Sequence, residues 1–277
     1  MKFLICIIAL VFSVNVFAVQ SFMPENNLHL EDSYLQKSNV DKYQFDQILD
    51  DIEELYTPIF RSHGSRFVIE RKWDDKTVNA YAYKSSRTTS NIAMFGGLAK
   101  RPEVTPDGFT IVACHEIGHH LAGFPKFSGR WASIEGNSDY YATQACLKEL
   151  WKNDDFSDAK RDDSLANDYC DKVWESEKDR FLCYRSVKAG LSTATLLASM
   201  GRERAPRFET PDKSIVSKTK EKHPRAQCRL DTMLAGALCT VEFDLYFVPL
   251  TRRESSDNTC MRVNGFGIQA RPRCWFK

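Results

Sequence analysis

No C-x-x-C pair occurs among the nine cysteines of this chain, so the usual spacing of a cysteine zinc site is missing. Charge of one sign is not in surplus either. The 38 Lys and Arg stand against 37 Asp and Glu, a balance that gives no reason to expect nucleic acid or an anionic membrane surface as partner. Internal repeats and low-complexity tracts are absent, which leaves one domain as the simplest division. Beyond the N-terminus no apolar run is long enough to span a bilayer, which takes about 20 residues. The stretch Ala189–Met200 falls short of that and reads as core.

The opening residues do carry an apolar run. Lys2 is followed by Phe3–Val14 and a small-x-small ending at Val16-Phe17-Ala18, the layout of a cleavable secretory signal over residues 1–18. An uncleaved anchor is the alternative, disfavoured by the shortness of the run and its interruption at Asn15. The expected location is therefore periplasmic or secreted, with no membrane span in the mature chain. Cys6 leaves with the signal, and the other eight are Cys114, Cys146, Cys170, Cys183, Cys228, Cys239, Cys260 and Cys274. An even number in an exported chain fits disulfides. Cys170 with Cys183, and Cys260 with Cys274, are the expected pairs, because each closes a short polar loop. Residues 19–277 are expected to form one domain with a disulfide-tied C-terminal tail.

Periodicity gives the elements. Ser21–Lys42 is a polar lead with little order of its own. Phe45, Ile48, Leu49, Ile52 and Leu55 recur at helical spacing. RFVIERKW and TVNAYAYKSS read as strands flanking a turn at Asp74-Asp75, and NIAMFGGLAK as a third strand closing on Gly96-Gly97. A buried helix is expected from Asp107, as N-cap, to Gly123, and another from Asn137 to Trp151. A long helix ends at Gly201, Glu203–Lys222 is an exposed loop, CRLDTMLAGALC is helical, and the tail after Thr251 is irregular. The fold class expected is α+β, mostly helical, with a small sheet beside the active-site helix.

Chemistry concentrates in CHEIGHH. His115 and His119, four apart on a helix, lie one turn apart on one face and can aim two imidazole nitrogens at one zinc ion. Glu116 adjoins the first ligand, where a general base is wanted. Six residues after His119 stands Pro125, and three after it Ala122, which excludes the metzincin pattern of a third histidine. Glu135 instead opens E-G-N-S-D, with Asp139 four residues later. Glu135 is the expected third ligand, and Asp139 the acceptor that fixes a ligand histidine's tautomer. Glu135 as a mere helix-start carboxylate is the plainer alternative; Glu103 and Asp107 are fallback ligands, and His120 points away from the pair. Tyr140 and Tyr141 read as core or cleft wall, and Val78–Ala82 as a strand edge able to take an extended peptide.

The ordered elements TVNAYAY, MFGGLAK, VACHEIGHH, EGNSDYYA and KHPRAQCRLDT resemble the HtpX-like metallopeptidases, which also include the CAAX prenyl proteases. The resemblance runs from Thr77 to about Leu234. It implies a zincin-like gluzincin fold, one zinc ion, and hydrolysis of internal bonds in protein or peptide substrates. It also places His223 and Arg229, from H-P-x-x-x-x-R, at the active-site cleft as candidate donors to the developing oxyanion. Arg229 has a plainer alternative, an ion pair with Asp231 or Asp139, and His223 can also be read as a latch over the metal. The chain departs from the integral-membrane members in lacking spanning helices, and its cysteine-rich ending lies outside the shared pattern. Two rivals stand beside the peptidase reading: a zinc-stabilised, non-cleaving chaperone-like or binding module, and a disulfide-rich interaction protein. The first needs the three ligands but places no demand on Glu116.

Overall fold

The computed structural model of the chain describes residues 19–31, 33, 37–156 and 161–277. The expected signal, 1–18, lies outside them. The fold is α+β: a mixed four-stranded sheet on one side and a set of helices on the other. The first helix, α1 (Lys42–Ser62), starts at a reciprocal cap. The Asp41 side chain accepts from Gln44 N at 2.8 Å, and Gln44 Oε1 accepts from Asp41 N at 3.0 Å. Its apolar stripe, Phe45, Leu49, Ile52 and Tyr56, is buried in the main core.

The strands β1 (Gln20–Ser21), β2 (Arg66–Lys72), β3 (Ala80–Ser86) and β4 (Thr89–Phe95) lie in the order β1-β3-β4-β2. β3 and β4 form an antiparallel hairpin, and β2 joins β4 in parallel. Two expectations fail here. The polar lead is not loose, because β1 pairs antiparallel with β3, placing Gln20 opposite Ala82 and Ser21 opposite Tyr81. Pairing resumes at His29 with Thr77. In consequence the edge expected to be free at Val78–Ala82 is covered. Backbone hydrogen bonds to an unpaired edge outweigh the polarity of the lead.

After the short α2 (Gly96–Ala99), helix α3 (Pro106–Leu121) runs through the centre and is buried on nearly every face. Thr105 caps it, its hydroxyl accepting from Gly108 N at 3.0 Å. Asp107, expected as the cap, instead pairs with Arg185 at 2.8 Å. The helix expected from Asn137 begins earlier, as α4 (Glu135–Tyr141), passes through a π-helical stretch at Ala142–Cys146, and ends as α5 (Leu147–Trp151). A Cβ on Gly118 of α3 would lie 2.9 Å from the Ser138 Cα. The two backbones touch, and that contact fixes α4 against α3.

The remaining helices are α6 (Ser164–Val173), α7 (Glu177–Gly201), α8 (Ala226–Leu238) and α9 (Arg252–Asn258). The expected loop over 203–222 holds neither helix nor strand. The tail is less irregular than expected, since a Thr251–Glu254 capping box nucleates α9. Among the described residues no helix is long and apolar enough to cross a membrane.

All eight described cysteines are paired, as Cys114–Cys146, Cys170–Cys183, Cys228–Cys274 and Cys239–Cys260. The expected Cys260–Cys274 pair is therefore wrong, while Cys170–Cys183 is present. The tail does not close on itself because Trp275, fully buried, seats over Gly136 and donates to Thr232 Oγ1 at 2.9 Å. That insertion carries Cys274 to α8. Four disulfides fit an oxidising compartment.

Candidate metal centre

Helix α3 places His115 and His119 on one face, and α4 brings Glu135 to meet them. Ligand atoms from these three lie within 4.8 Å of one another. His115 Nε2 is 3.3 Å from Glu135 Oε2, and His119 Nε2 is 3.8 Å from Glu135 Oε1. Separations of this size leave room for one metal ion among the three donors. His115 Nε2, His119 Nε2 and Glu135 Oε2 are buried without a hydrogen-bond partner. Buried polar atoms of this kind need a reason, and a shared cation supplies one for all three. The donor set therefore fits a metal.

The other ring nitrogens are committed. His115 Nδ1 meets Asp139 Oδ1 at 2.8 Å, and His119 Nδ1 meets the Ser133 carbonyl at 2.8 Å, with the Ser138 hydroxyl at 3.1 Å. With Nδ1 donating in each ring, the Nε2 lone pairs face the common point. Asp139, expected as the orienting acceptor, does hold His115. Ser133 and Ser138 were not foreseen. Ser138 lies three residues after Glu135 on α4, a helical spacing that could have flagged it; a backbone carbonyl such as that of Ser133 leaves no trace in sequence.

Arg229 sits behind His115. Its Nε and Nη2 donate to the two Asp139 oxygens at 2.7 Å each, and Nη1 donates to the Phe22 carbonyl at 2.7 Å. Of its two expected carboxylate partners, Asp139 is the real one. His223 stands nearer the centre, with Nε2 3.3 Å from Glu135 Oε2 and donating to the Ser21 carbonyl at 2.9 Å. His120 turns away, donating to Asn91 O at 3.1 Å and stacking on Trp131. Glu103 pairs with Arg101, and Asp107 with Arg185, so neither fallback ligand reaches the site. Tyr140 and Tyr141 are core. Phe22, a residue no motif pointed to, packs its ring edge-on to His115 at 5.2 Å.

Electrostatics divide these groups. Burial raises the Glu116 carboxyl to about 8, and both of its oxygens lack a hydrogen-bond partner. Burial lowers His119 to about 4. For His115 burial acts downward too, but the Asp139 carboxylate overrides it and raises the imidazole. Glu135 is pushed up by burial and pulled down further by His119 and the other histidines around it, ending below its ordinary value. Asp139, despite burial, is held well below the usual carboxylate range by Arg229 and His115. Two carboxylates on adjoining helices thus have opposite tendencies, Glu116 toward holding a proton and Asp139 toward permanent charge. Comparisons with protein-family models, with curated proteins and with solved structures found no match to this chain.

Proposed function

We propose that this chain is an exported zinc metalloendopeptidase of zincin-like fold that cleaves extended protein segments. The observation that carries the reading is Glu116: a fully buried carboxylate with no hydrogen-bond partner, one residue from His115 in a convergent His-His-Glu group. An unpaired buried carboxylate costs stability, and a purely structural metal site gives no return for it. Perturbed groups of this kind cluster where protons move. The resemblance of the motifs to HtpX-like peptidases supports the same reading.

His115, His119 and Glu135 would hold the ion, and a zinc bound there supplies Lewis acidity toward water and the scissile carbonyl. Glu116 takes the proton of the attacking water and passes it to the leaving amine. Burial, which raises the Glu116 carboxyl, favours its holding the proton between those two transfers. His223 Nε2, which already donates to a peptide carbonyl beside Glu135, supplies a donor where oxyanion charge develops. Arg229 reaches no reacting atom. It positions His115 through Asp139.

One observation favours the rival, a metal-stabilised module that cleaves nothing: His115, Glu116, His119 and Glu135 are all at most 1% exposed, as structural metal ligands are. Glu116→Gln separates the two readings. With zinc content unchanged, hydrolysis of an unfolded substrate such as casein should fall by about 10²–10⁴-fold, the usual contribution of a general base. Equal hydrolysis by wild type and variant would refute the peptidase reading.

A further inference from the structure

We infer that this chain's own Gln20–Met23 is a resident, tethered occupant of the β3 edge beside the metal centre, where an extended substrate would otherwise lie. The prediction about cleavage rests on the peptidase reading; the seat itself does not.

Main-chain atoms carry the contact. Phe22 N donates to Ala80 O at 3.0 Å, and Met23 N to Asn79 Oδ1 at 3.1 Å. On the other side the Ser21 and Phe22 carbonyls accept from His223 and Arg229. Two successive carbonyls and two successive amides are therefore gripped between a strand edge and two side chains beside the metal group. Backbone contacts of this type tolerate many sequences, while a pocket for one side chain gives preference. Here the pocket belongs to Phe22, fully buried, edge-on to His115 and under the Arg229 guanidinium at 4.5 Å. The ligand class that fits is an extended peptide with a large apolar or aromatic residue at that position.

The occupant is short. β1 is two residues long, and after Met23 the chain next pairs with the segment before β3, where Leu28 O accepts from Val78 N at 3.0 Å and His29 bridges Thr77. Around that excursion Met23, Pro24 and Leu28 line a cleft of about 290 Å³ together with His223 and Arg229. The same segment packs on the metal group, whose three ligands are at most 1% exposed. A tethered occupant competes at an effective concentration of about millimolar, so a free peptide reaches the seat only when the segment lifts away.

The test is to place a specific protease site between Glu31 and Asn39 of the exported chain, cut it after folding, and exchange the released segment. Two readouts are followed: fluorescence polarisation of a labelled copy of residues 19–26, and hydrolysis of an unlabelled extended peptide. The intact chain should bind no labelled peptide. The cut chain should bind it saturably, at least about tenfold more tightly than a copy with alanine at the Phe22 position. Hydrolysis should rise by about tenfold or more, as the tethered competitor is lost. The uncut Phe22→Ala chain, checked for fold by circular dichroism, should move the same way in both readouts. Binding without hydrolysis keeps the seat and defeats the peptidase reading. A segment that never exchanges with excess labelled copy, or loss of fold in both the cut chain and Phe22→Ala, makes Gln20–Met23 fixed core and overturns the inference.

Discussion

Replacing Arg229 with methionine probes the support behind the metal centre. The side chain is 1% exposed and makes three hydrogen bonds of 2.7 Å, two to Asp139 and one to the Phe22 carbonyl. Methionine fills much of the volume but leaves the fully buried Asp139 carboxylate without its cation. Removing one partner of a buried ion pair costs about 3–5 kcal/mol. For a chain of this size about 1 kcal/mol moves Tm by about 2 °C, so thermal unfolding followed by circular dichroism, with disulfides intact, should show a fall of about 6–10 °C. The double variant Arg229→Met, Asp139→Leu removes the stranded charge as well and should recover part of that loss, because replacing a whole buried pair by apolar groups is far milder than halving it. Arg229→Lys keeps the charge but not the two-pronged contact, and should fall between wild type and methionine. A single variant within 1 °C of wild type, or a double variant worse than the sum of its parts, would refute the reasoning.

Asp139→Asn keeps the shape around His115 but weakens its orienting acceptor, and zinc affinity measured by chelator competition should drop about 10–100-fold. Cys114 neighbours His115 on α3, and its partner Cys146 closes α4 and the π-helical stretch onto it across a separation of 32 residues. The double replacement of Cys114 and Cys146 by serine should cost about 3–4 kcal/mol from loop entropy, read as a lower denaturant midpoint, and should weaken zinc retention as well. Zinc affinity should rise with pH. Asp139 keeps His115 raised against the pull of burial, so near neutrality the cation must displace a proton, and apparent affinity should climb by about tenfold per pH unit between pH 6 and 8. A flat titration would mean that His115 is already neutral.

The centre was largely legible because its geometry is local. Four-residue spacing on a helix puts His115 over His119 and Glu135 under Asp139 wherever the helix goes. That the two helices would meet was an expectation from ligand chemistry, and the structure traces it to the bare backbone of Gly118 against Ser138. Long-range partners were harder. Arg229 had two candidate carboxylates at sequence level, and only packing selects Asp139. The lead before α1 is polar and carries no strand pattern, so its pairing with β3 had no local signal; its hydrogen bonds come from the strand edge it covers. Disulfide connectivity has no local signal either. The short loop from Cys260 to Cys274 suggested closure, but burial of Trp275 against Gly136 draws Cys274 to Cys228 instead. A two-residue error at the α3 cap had a similar origin. Asp107 and Thr105 are both good caps, and Asp107 is spent on Arg185.

The claim on which the account turns is that His115, His119 and Glu135 grip one ion. X-ray absorption at the zinc edge on the purified exported protein, with metal content measured alongside, addresses it directly. The account predicts one zinc per chain, two imidazole nitrogens and carboxylate oxygen at about 2.0–2.1 Å, and no sulfur, with zinc retention lost in His119→Ala. Zinc bound through sulfur, or one equivalent retained unchanged in that variant, would contradict it.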